Sequence, residues 1–104
     1  MAKDLKYTIL LDIYAPLLTK AQRETLDLYY NEDLSLGEIA ANWGVSRQSV
    51  MNSVRKGEQR LDMLEGELSI AARAAKANAL LDRLAELADG AEAAGLIEKI
   101  RKLL

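Results

Sequence analysis

Residues 34–61, LSLGEIAANWGVSRQSVMNSVRKGEQRL, restrict what this chain can fold into more than any other stretch. Ser35 and Glu38 have the spacing of a capping box, in which hydroxyl and carboxylate satisfy each other's backbone amides at a helix start. Leu36, Ile39 and Ala40 follow at the spacing of one buried helical face. Ala40 is small where a second helix must cross closely, and Gly44 can adopt the positive φ of a tight turn. Val45 is expected to plug that turn into the core, and Ser46 to cap the next helix. On that helix Val50, Val54 and Leu61 fall near one face, which leaves Arg47, Gln48, Asn52, Arg55 and Lys56 outward. The pattern predicts a helix-turn-helix, whose second helix projects where it can enter a major groove.

Composition narrows the rest. With 104 residues the chain suits one compact domain, and 50% hydrophobic and 29% charged residues with a single proline argue against disorder. Phe is absent and Leu and Ala dominate the apolar set, so an all-α fold is expected. Cysteine and histidine are both absent, which removes disulfides, thiolate metal sites and imidazole catalysis. Asp12 interrupts the apolar run of MAKDLKYTILLDIY, so a signal peptide is not expected. No stretch approaches membrane-spanning length, and a cytoplasmic protein is expected.

Helical patterns continue on both sides of the motif. Residues 3–14 place Leu5, Ile9, Ile13, Tyr14 and Leu10 on a broad apolar face, and Pro16 ends that helix. Thr19 and Gln22 form a second capping box, opening a helix to about Tyr30 with Leu26, Tyr29 and Tyr30 at least partly inward. The helix begun at Ser46 has no stop signal until about Gly66. Residues 67–88 are again helical, with Leu68, Ala72, Ala75, Ala79, Leu80, Leu84 and Leu87 at compatible spacings. Asp89 and Gly90 break the pattern before a last amphipathic helix of Leu96, Ile97, Ile100, Leu103 and Leu104, weakened by Gly95. The reading is a helix-turn-helix domain over 1–66 and a helical arm over 67–104. So much apolar helix in the arm needs a partner surface, and packing on a second chain is expected.

Net charge is −2, but its distribution is uneven. Between 46 and 60, Arg47, Arg55, Lys56 and Arg60 face Glu58 alone, a balance of +3. Between 22 and 45, Arg23 stands against Glu24, Asp27, Glu32, Asp33 and Glu38, a balance of −4. A basic second helix suits a nucleic acid. Arg47, Gln48 and Asn52 are the base-reading candidates, because Arg bridges guanine O6 and N7 while Gln and Asn bridge adenine N6 and N7. Met51 could add apolar contact. Ser46, Ser49, Arg55 and Lys56 are phosphate candidates that set register, and Lys20 is a weaker one. Trp43, Tyr7, Tyr14, Tyr29 and Tyr30 fit core positions better than a stacking platform. The carboxylates Glu65, Glu67, Asp82, Glu86 and Asp89 fit exposed helix faces, and no nucleophile–base pair accompanies them. Neither an enzyme nor a cofactor is expected.

The segments LLTKAQRETLDLYY, DLSLGEIA and VSRQSVMNSVRKGEQRL, preceded by DLKYTILLDIYAPL, together resemble the YlxM-type bacterial helix-turn-helix proteins. These are in turn similar to region 4 of sigma factors. The resemblance covers about the first 65 residues and implies a small, all-α, often dimeric protein. It also implies nucleic-acid binding through Ser46, Arg47, Gln48, Ser49 and Asn52. Family members are encoded beside genes of the signal recognition particle, which implies a regulatory or accessory role in that targeting pathway. The Ala-rich arm departs from the family's usual Glu/Lys/Gln-rich tail, and the chain has no room for a sigma factor's polymerase-core region. DNA is favoured over RNA on groove geometry. The rival expectation is a protein–protein adaptor, with the helix-turn-helix as scaffold and a component of the targeting machinery as partner.

Overall fold

The computed structural model describes residues 3–104, which form six α-helices and no strand. They divide into two compact units, Met1–Ser69 and Ile70–Leu104.

In the first unit, Asp4 caps α1 (Leu5–Tyr14) by accepting the Lys6 N–H at 2.9 Å. Pro16 lies in a short 3₁₀ turn, Ala15–Leu17, and Thr19 then starts α2 (Lys20–Leu26) through the expected capping box with Gln22. α2 widens into a π-helical turn, Asp27–Asn31, closed by Glu32 N–H donating to Asp27 C=O at 3.0 Å. Ser35 and Glu38 cap α3 (Leu36–Trp43), again as the spacing predicts. Gly44 ends it at φ 66°, and the Val45 N–H reaches back to the Ala40 carbonyl at 3.1 Å. Ser46 then caps α4 (Arg47–Leu68), which runs through Gly66 and stops only at Ser69.

α4 is the pillar of this unit and packs against α1, α2 and α3. Its buried residues, Val50, Val54, Gly57, Leu61 and Leu64, alternate at spacings of four and three along one seam. Leu10, Leu11, Tyr14, Leu18, Leu26 and Ile39 close the core around it. Gly57 is required there: a Cβ would sit 2.7 Å from Leu26 Cδ1, and Leu26 is fully buried.

Two core expectations are corrected. On α1 the buried side chains are Leu10, Leu11 and Tyr14, while Leu5 and Ile9 are exposed. α1 is apolar on both flanks, so periodicity alone could not choose the inward one. At the turn, Trp43 is 43% exposed and Val45 44%, because α3 ends beyond the edge of the core it shares with α4.

In the second unit, α5 (Ile70–Leu87) and α6 (Ala91–Leu103) form an antiparallel hairpin through Gly90 at φ 102°. Leu103 and Leu104 lie beside Ile70 and Ala74. Leu81 and Ile97 are its buried residues, and Arg101 donates to Asn78 Oδ1 at 3.0 Å and Asp82 Oδ1 at 2.5 Å. No helix among the described residues is long and apolar enough to cross a membrane.

Candidate nucleic-acid interface

The face of α4 opposite its buried seam follows from the same periodicity. Gln48, Asn52, Arg55 and Gln59 recur at spacings of four and three on the outer side, with Lys56 beside them, and all are exposed. The sequence reading missed Gln59, although its place on this stripe is set by the spacing from Gln48. Ser46, Arg47 and Ser49 are exposed as well, so within the first unit all seven candidates have exposed side chains.

The first turn of α4 is ordered by local bonds. Ser46 Oγ accepts the Ser49 N–H at 3.0 Å, which leaves the other first-turn amides facing outward, a start suited to an anion. Gln48 Nε2 donates to Asn52 Oδ1 at 3.2 Å, so the two amides are held as a pair. Gln48 keeps its Oε1 acceptor and Asn52 its amide hydrogens, the donor–acceptor set that an adenine edge requires. Arg47 lies differently. Its side chain folds back over Gly37, where an added Cβ would stand 3.6 Å from Nε. Base contact by Arg47 therefore requires a rotamer change, whereas Gln48 and Asn52 already point out. Lys20 is paired with Glu24 at 3.9 Å and is strongly exposed.

One margin of α4, between the buried seam and the outer stripe, is acidic. Glu58, Asp62 and Glu65 sit one to two turns apart and accept hydroxyls from Tyr30, Tyr7 and Tyr14, the last two at 2.8 and 2.6 Å. Lys6 adds an ion pair to Asp62 at 3.2 Å. These bonds tie α1 and the π-helical turn to α4. They also correct the placement of Glu65 on an exposed face and of Tyr7 in the apolar core, since both are half-buried, whereas Tyr30 is partly inward as its spacing predicts. Burial, then the bond to Glu58, pushes the Tyr30 hydroxyl well above the usual tyrosine range; the bond to Asp62, then burial, raises Tyr7. Lys3 fastens the loop before α3, donating to the carbonyls of Tyr29 and of Leu34 (2.8 Å) and pairing with Asp33 at 3.2 Å. The spacing of the sequence carries no sign of that link.

No group of carboxylates among the described residues is arranged to hold a metal ion. What the site presents is a rigid helix with a polar, cationic outer stripe, able to hydrogen-bond base edges and neutralise phosphates.

A family profile described as "Putative helix-turn-helix protein, YlxM / p13 like" matches residues 1–102. Among curated relatives, the YlxM protein of Bacillus subtilis is 36% identical over 107 aligned positions, covering 99% of this chain and 97% of that protein. A relative from Halalkalibacterium halodurans is 41% identical over 84% of this chain and 80% of its own length. One from Desulforamulus reducens is 37% identical over 93% and 83%.

Proposed function

The chain belongs to the family of YlxM and p13-like helix-turn-helix proteins, and from that premise we propose that it binds nucleic acid, DNA in preference to RNA, through the outer face of α4. The observation that carries this reading is the uncovered stripe of Gln48, Asn52, Arg55 and Lys56 on the helix that follows the Gly44 turn. Ser46 and Ser49 at the first turn, with Arg55 and Lys56, meet phosphates; Gln48, Asn52 and a rotated Arg47 meet base edges. A helix of this kind fits the major groove of B-form DNA, whereas the A-form groove is too narrow to admit it. The acidic neighbours Glu24, Asp27 and Glu38 weaken a single-copy complex, which favours two copies reading two half-sites. The protein works in the cytoplasm as a regulatory or accessory factor, not an enzyme. A role in the signal recognition particle targeting pathway is part of this proposal, and its support is the resemblance of residues 17–61 to proteins encoded beside that particle's genes.

The test is binding to duplex DNA across a salt series, because phosphate contacts make log K fall linearly with log salt. Wild-type protein should bind with a clear salt slope. Arg47→Glu with Arg55→Glu should abolish binding while helical circular dichroism is unchanged. Salt-independent behaviour, or no binding to duplex or to the particle's RNA, refutes the reading.

A second reading has its own support. Trp43 and Val45 are exposed at the turn, on the same unit as the exposed Glu24, Asp27, Glu32 and Glu38. An apolar spot on a unit rich in exposed carboxylates suits a basic protein partner, and the helix-turn-helix is then a scaffold for an adaptor. Capture of a targeting component from extract that survives nuclease treatment favours the adaptor, and capture lost with nuclease favours nucleic acid.

A further inference from the structure

A cavity of about 240 Å³ opens beside the outer stripe of α4, within the first unit. The π-helical turn Asp27–Asn31 makes one wall and sets Tyr29 and Tyr30 ring against ring, 5.0 Å apart and nearly perpendicular. Turns of this kind are uncommon and recur at functional sites. Val54 of the buried seam, with the half-buried Leu36 and Met51, supplies the apolar remainder. Lys3 fixes the wall, lying 3.9 Å over the Tyr29 ring while bonded to the carbonyls of Tyr29 and Leu34. Its charge is engaged within the protein, and Asp4 is engaged in capping α1.

Two charges of opposite sign on the same cavity are left to a ligand. Arg55 has no hydrogen bond or ion pair among the described residues. Glu58 accepts the Tyr30 hydroxyl on Oε2, which orients the carboxylate and leaves Oε1 open. The two stand three residues apart on α4, so they leave the helix as neighbours with Cβ atoms about 5–6 Å apart. A guanidinium takes a carboxylate, and a carboxylate takes an ammonium.

We infer that this cavity is a regulatory site for a free α-amino acid with an apolar side chain. Its carboxylate meets Arg55, its ammonium meets Glu58, and its side chain lies among Tyr29, Tyr30, Leu36 and Met51. A simple anion is repelled by Glu58 and a simple cation by Arg55, whereas a head group with both charges on adjacent atoms satisfies the pair. Pockets for drug-sized ligands span roughly 300–1,000 Å³, so this smaller one suits a metabolite of amino-acid size. The regulatory half rests on the nucleic-acid reading, in which Arg55 contacts phosphate. A bound carboxylate draws the guanidinium off that face, and by reciprocity the two ligands weaken each other's binding by the same factor.

Nuclear magnetic resonance titration of the isotope-labelled full chain with L-leucine, L-methionine and L-phenylalanine, each to about 10 mM, tests the site without nucleic acid. At least one should bind saturably and shift the amides of Tyr29, Tyr30 and residues 51–58. Its amide, which lacks the carboxylate, and its des-amino acid, which lacks the ammonium, should each bind about tenfold more weakly. Glu58→Gln keeps an acceptor for Tyr30 and should show the same loss. In duplex binding, the amino acid should lower wild-type affinity several-fold and reduce the salt slope by about one phosphate contact. Glu58→Gln should bind duplex as wild type does and not respond. No saturable shift with any of the three, equal binding of the amide or des-amino acid, or shifts centred elsewhere overturns the proposal. So does duplex affinity indifferent to a bound amino acid. Amino-acid binding in a chain that binds no nucleic acid leaves the ligand site standing and removes the binding reading; duplex binding without amino-acid binding does the reverse.

Discussion

Glycine 57 and glycine 66 lie on the same helix, yet substitution at each should act in opposite directions. In a helix interior Ala is favoured over Gly by about 1 kcal/mol. At Gly66 a Cβ meets nothing within 4 Å, so Gly66→Ala should raise stability by about 0.5–1 kcal/mol. At Gly57 it meets Leu26 Cδ1 at 2.7 Å and Cγ at 2.9 Å, in a core where Leu26 has no exposure. There overpacking of about 1–3 kcal/mol outweighs the propensity gain, and Gly57→Ala should lower the urea midpoint while Gly66→Ala raises it. Equal shifts in both variants would contradict the close approach of α2 to α4. The same scale separates the roles on the outer stripe. Gln48→Ala should blur preference among duplex sequences, whereas Arg55→Gln should weaken all duplexes alike and reduce the salt slope by about one phosphate contact.

Between elements, the first unit is joined by a seam of apolar side chains and by a row of tyrosine–carboxylate bonds along one margin of α4. The row gives stability a dependence on alkaline pH. Tyr30 and Tyr7 are both raised in the folded protein, Tyr30 chiefly by burial and Tyr7 chiefly by its bond to Asp62. Below about pH 10 both folded and unfolded chains keep these hydroxyls protonated, so their contribution is fully present. As the pH rises past that value the unfolded chain ionises first, and the contribution is lost progressively toward the higher folded values. Lys6, raised chiefly by its bond to Asp62, acts in the same direction. Chemical denaturation from pH 8 to 11 should therefore show a falling midpoint, and Tyr7→Phe with Tyr30→Phe should flatten that fall. An unchanged slope in the double variant would show that these bonds do not carry the effect.

Across the whole molecule, stability should be uneven. Amides of Val50–Leu64, at the centre of the first unit, should exchange most slowly with solvent. Those of α5 and α6, whose buried residues are Leu81 and Ile97, should exchange faster, a difference readable by mass spectrometry. The division follows from what each kind of signal can express. Helix starts and stops were legible in the amino-acid order, because Ser35 with Glu38, Thr19 with Gln22, Ser46 and Gly44 act within a turn of their own position. So was the polar stripe opposite Val50, Val54 and Leu61, because a helix of known period puts one face against the other. The inward side of α1, the overhang of Trp43 and Val45, the contact of Gly57 with Leu26, the pairing of Tyr14 with Glu65 and the folding of Arg47 over Gly37 were not legible. Each depends on groups distant in the chain or on where a packed core ends. Local chemistry therefore determined the helices and their outward residues, and only the tertiary structure decided which apolar surfaces were consumed within the protein and which were left open.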